Sequence, residues 1–78
     1  MPGHDAVTRD ALIAEKGEVQ ARLNRVRREL EAAQLSRDTA TGLRRTLLAR
    51  RVRVLEAAAD RLMAAEMRLR LEIDRAQH

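Results

Sequence analysis

Along the first half of the chain, apolar side chains recur in alternating steps of three and four residues. The series is Leu12, Val19, Leu23, Val26, Leu30 and Ala33, with Lys16 at the one place where an apolar residue is missing. That spacing keeps a single stripe on one side of an α-helix. On a wheel of about 100° per residue the apolar members span only about 80°, the width of a coiled-coil seam facing one neighbour. Ser36, Arg37, Asp38, Thr39, Ala40, Thr41 and Gly42 then interrupt the pattern with side chains that favour caps and turns. A second series follows at Leu48, Val52, Leu55, Ala59, Leu62, Glu66, Leu69 and Ile73. Carried across the interruption, the first series would fall on Leu47, Arg51, Val54 and Ala58, one residue too early. A slip of one residue predicts a chain reversal; the alternative is a continuous helix with a local distortion. The expectation is an all-α, two-helix antiparallel hairpin, coiled-coil-like, that completes a helical bundle with a partner or by oligomerisation. Residues 1–78 form one domain, with helix 1 over about 6–37, a turn over about 38–42 and helix 2 over about 43–76.

Folding about Ala40 and Thr41 brings the two seams together layer by layer, with Leu30 against Val52 and Val26 against Leu55. This register also puts Lys16 and Glu66 in one layer, where each compensates the other; the alternative is that both reach out to solvent. A fold about Thr39 would oppose each charge to a leucine instead. Asp5 or Thr8 is expected to cap helix 1. Outward-facing pairs at four-residue spacing, namely Glu18 with Arg22, Arg25 with Glu29, Arg27 with Glu31, Glu66 with Arg70 and Arg68 with Glu72, add helix support. Gly17 lies inside helix 1, where it weakens the helix and has no packing role that the pattern explains.

The two helices are not equally apolar. Leu47, Val54, Ala58 and Ala65 flank the second seam on one side, and Met63, with Met67 further round, begins the other. The apolar arc of helix 2 is about 180°, wider than one narrow helix covers, so these six residues are the expected partner or oligomer interface. Composition agrees with a helical assembly. The chain has no Phe, Tyr or Trp, and 14 of its 35 apolar residues are Ala. A chain of 78 residues buries a modest core, and without cysteine it has no disulfide to reinforce it.

Catalytic chemistry is not apparent. His4 and His78, the only histidines, stand at opposite ends, and Ser36, the only serine, lies in the turn. No phosphate-cradling glycine loop is present, and no metal, cofactor or small-molecule substrate is expected. Charge changes the picture more. Residues 36–53 hold six Arg and one acid, a net +5, while the remainder holds 10 basic and 11 acidic residues, a net −1. Arg44, Arg45, Arg50, Arg51 and Arg53 near the turn, continued by Arg61 and Arg68, make a candidate anion-binding surface. No aromatic side chain is present to stack on a base. No apolar run approaches the ~18 residues of a membrane span, and the N-terminus carries no charged-then-apolar leader, so a cytoplasmic location is expected.

Val26-Arg27-Arg28-Glu29-Leu30-Glu31, a short polar turn, and Leu55-Glu56-Ala57-Ala58-Ala59-Asp60-Arg61-Leu62 together carry a resemblance to a known family. The chain resembles the small helical-hairpin co-chaperones that hold needle subunits in bacterial type III secretion, in size, in layout and in its Ala/Leu-rich second helix. The resemblance implies a cytoplasmic protein that pairs with a second chaperone and shields an aggregation-prone subunit. It does not account for the arginines at the tip. Three function classes follow: a non-catalytic protein-binding hairpin, chaperone or adaptor; a self-associating four-helix-bundle regulator that presents its Arg face to RNA or DNA; and a structural coiled-coil spacer.

Overall fold

The computed structural model describes residues 2–77, with side chains from residue 8 to residue 76. Two helices, α1 (Pro2–Thr39) and α2 (Gly42–Gln77), account for every described residue except Ala40 and Thr41. They pack along their lengths as a hairpin measuring 61 × 14 × 12 Å. At 1.5 Å per residue a helix of 38 residues is about 57 Å long, so α1 alone spans the molecule.

The reversal is tighter than the sequence pattern suggests. The turn is Ala40 and Thr41 alone, not residues 38–42, and α1 reaches past residue 37 to Thr39. The cap-forming side chains are used inside the last turn of α1. Thr39 Oγ1 donates to the Ser36 carbonyl at 3.2 Å, and the Ala40 N–H donates to the Arg37 carbonyl at 3.2 Å. These bonds satisfy carbonyls that the helix end leaves free. Gly42, with φ +62°, then opens α2 in the left-handed region, where a side chain would be strained. Helix α1 also begins earlier than residue 6. Proline suits a first helical position because its missing N–H would have no helical acceptor there. Thr8 therefore lies inside the helix and is not its cap, while the side chains of His4, Asp5 and His78 lie outside the described residues. Gly17 does not interrupt α1, and a Cβ built there meets nothing within 4 Å.

The seam residues of both helices are buried or half-buried. Val19, Leu23, Ala33, Val52, Leu55, Ala59, Leu69 and Ile73 are buried, while Leu12, Lys16, Val26, Leu30, Leu48, Leu62 and Glu66 are half-buried. Val52 and Leu23 are the most enclosed, at 1% and 2% exposure. Ala33, Val52 and Leu55 form a buried cluster with Val26 and Leu30 packed against it, and the chain reverses at Ala40 and Thr41. Each such Leu or Val contributes about 1.5–3 kcal/mol on full burial, and among the described residues this one seam supplies the buried core.

The charged layer is settled differently from the expected Lys16–Glu66 pair. No ion pair joins these two side chains among the described residues. The Glu66 carboxylate, with 18% of its side chain exposed, accepts from Arg70 at 3.1 Å and Gln20 at 3.3 Å. Both donors are exposed side chains on the rim of the seam, so they reach Glu66 without being buried themselves. Of the five outward pairs, Glu66 with Arg70 alone is within ion-pair distance. The other four are separated in solvent, where holding two long side chains together gains little.

Candidate interaction surface

Two contacts between the helices define the flanks of the hairpin. On one flank Arg51 lies 3.8 Å from Glu29. On the other, Arg27 Nη2 lies 3.5 Å from Met63 Sδ. Leu47 and Val54, four residues before and three after Arg51, share its flank by helical spacing. Both are more than half exposed, at 53% and 60%. Ala58, four residues after Val54, lies nearer the seam, and Ala65 continues that position toward the open end; both are half-buried. Met63 and Met67 lie on the opposite flank and are exposed. The six expected interface residues thus sit on two sides of α2, one mostly aliphatic and one built from methionine.

Four further large apolar side chains are exposed that the seam pattern did not single out: Ile13, Leu35, Leu43 and Leu71. Ile13 precedes Arg27 by two heptads and so joins the methionine flank. Leu43 is the most exposed of all, at 74%, beside the turn. Isolated apolar positions off a regular stripe carry no periodic signal, which is why spacing alone passes over them.

The arginines near the turn separate into two groups. Arg37 lies 3.8 Å from Asp38, and Arg51 is taken up by Glu29. Arg44, Arg45, Arg50 and Arg53 are exposed and have no acid within ion-pair distance among the described residues, and the same holds for Arg61 and Arg68. The first turn of α2 has no acidic residue, so the positive end of its helix dipole adds to the arginines.

Concave features are slight. A dent of about 300 Å³ at the turn is lined by Ser36, Thr39, Ala40, Thr41 and Arg44. Another, of about 340 Å³, lies over Gln20, Leu23, Asn24, Arg27 and Glu66. Both are open and polar, unlike the mostly apolar clefts that enclose small molecules. Among the described residues no group of three or more His, Cys, Asp or Glu could hold a metal ion, and no helix is long and apolar enough to cross a membrane. No protein-family model, curated protein or solved structure matches the chain.

Proposed function

We propose that this chain is a non-catalytic interaction module whose second helix docks a helical partner. The observation that carries this reading is the exposure of Leu47 and Val54 on one flank of α2, a flank that the small, half-buried side chains of Ala58 and Ala65 continue toward the open end. Small residues let a second helix approach closely, and the two aliphatic side chains supply apolar area that the hairpin leaves in water. The resemblance to needle-subunit co-chaperones supplies the specific form of the reading: a bacterial, cytoplasmic protein that shields a helical subunit prone to aggregate. Sedimentation equilibrium over a concentration series, with circular dichroism on the same samples, tests it. Addition of a helical partner should shift the mass of the wild-type chain, and the double variant Leu47→Glu, Val54→Glu should keep its helicity and lose that shift. A variant that still binds every helical partner as the wild type does would end the reading.

A second reading has its own observation. Arg44, Arg45, Arg50 and Arg53 are exposed and free of acidic neighbours at one end of the molecule, a basic tip that suits the phosphates of RNA or DNA. It predicts retention on nucleic acid at low salt, lost steeply as salt rises. Equal retention at low and high salt would count against it.

A further inference from the structure

We infer that the docking flank of α2 is built to receive an acidic amphipathic helix from another protein, with its apolar and acidic halves in a fixed order. The inference rests on the reading of the chain as a helix-docking module and names the chemistry of the partner.

Leu47, Val54, Arg61, Arg68 and Arg75 follow one another at seven-residue intervals. The first four each immediately precede a seam leucine, namely Leu48, Leu55, Leu62 and Leu69, and Arg75 precedes the half-buried Ala76. A heptad repeat drifts by about 20° per heptad around a straight helix. Here the seam carries the same repeat and stays against α1 along the hairpin. The row therefore keeps a constant offset from α1, as a continuous strip along one flank. Its steps are about 10.5 Å and its full length is about 42 Å at 1.5 Å per residue. All five side chains are exposed, and none of the three arginines has an acid within ion-pair distance among the described residues. The strip changes character at its middle: aliphatic toward the turn, guanidinium toward the open end.

A helix laid along this strip repeats its own side chains at the same interval. One with two apolar residues and then three carboxylates at successive heptads meets the row position for position. Arginine suits such a site because its planar fork donates two parallel hydrogen bonds to a carboxylate. A second copy of this chain does not supply that pattern. Its acids stand seven residues apart only at Glu31 and Asp38, and three in succession occur nowhere in α1 or α2. A nucleic acid matches the arginines of the row and those near the turn, but it offers no apolar counterpart to Leu47 and Val54.

The test uses the full chain and synthetic helical peptides on one heptad scaffold, with binding followed by fluorescence anisotropy. Two peptides carry Leu, Leu, Glu, Glu and Glu at the five row positions, in forward and in reversed order for parallel and antiparallel docking. A third has the same composition with Leu and Glu interleaved, and a fourth has Leu at all five positions. One ordered acidic peptide should bind about ten- to hundred-fold tighter than the interleaved one, at a level that falls as salt rises. The triple variant Arg61→Glu, Arg68→Glu, Arg75→Glu should reverse that preference in favour of an ordered peptide carrying Lys, with unchanged circular dichroism. Equal binding of ordered and interleaved peptides overturns the inference, as does tighter binding of a short DNA or RNA duplex at the same salt. Binding of the all-Leu peptide alone overturns the acidic partner and leaves the docking module standing. Binding of no peptide removes both.

Discussion

The turn end and the open end of the hairpin use the same spacing for different contents. Near the turn, the seam is apolar from both sides, with Val26, Leu30 and Ala33 against Val52 and Leu55. Toward the open end, Lys16 and Glu66 occupy seam positions, and Arg9, three residues before Leu12, has its Nε shut from water without a hydrogen-bond acceptor. An apolar layer gains free energy from burial alone. A polar layer must first offset the desolvation of its groups, which costs about 1–3 kcal/mol for each one left unsatisfied. On this difference the hairpin should hold more firmly at the turn than at the open end, where Val19, Leu69 and Ile73 are the buried apolar side chains. Its local stability should grade along its length, which in helical proteins appears as a gradient of amide protection.

The sharpest way to break this contrast is to remove an apolar anchor. Leu55→Ala should cost about 2–5 kcal/mol in urea denaturation, because the cavity opens within the buried cluster of Ala33 and Val52. The same truncation at half-buried Leu12 should cost clearly less. Next in size, the double variant Lys16→Leu, Glu66→Leu should erase the contrast by making the open end apolar. It should stabilise the chain by about 1–3 kcal/mol in thermal melts, since well-packed hydrophobic residues commonly outperform charges held at half-buried seam positions. Gly42→Ala should weaken the turn end by about 1–2 kcal/mol through its positive φ alone, as a Cβ there meets no atom within 4 Å. The smallest effect is expected from Gly17→Ala, which should firm the open half by up to about 1 kcal/mol and raise helicity by circular dichroism.

Much of this architecture is legible in the spacing of apolar residues. The steps of three and four mark both helices, and the one-residue slip between Ala33 and Leu48 marks the reversal, because burial on one face imposes a period that solvent exposure does not. Helix ends are less legible. Ser36 and Thr39 have the composition of a turn, yet the Thr39 hydroxyl bonds the Ser36 carbonyl and so extends the helix that its residue type was expected to end. Long side chains are less legible still. The spacing leads one to expect Lys16 opposite Glu66, but Gln20 and Arg70 stand on the rim with room to reach the carboxylate. The aliphatic flank could be read from Leu47 and Val54, whereas Ile13, Leu35, Leu43 and Leu71 lie too far apart along the chain to show a period.

The slip in phase also governs whether two molecules can exchange arms. Hairpins with short turns are prone to this, since a chain that straightens can give its second helix to a neighbour and remake every contact between molecules. Here a straightened chain would run through Ala40 and Thr41 as one rod, with its two apolar stripes one residue, or about 100°, out of step. A straight partner rod could then face one stripe and would leave the other in water. The bend at Gly42 absorbs that mismatch within a single molecule, so the same residue offset that signals the reversal also guards against entanglement between chains.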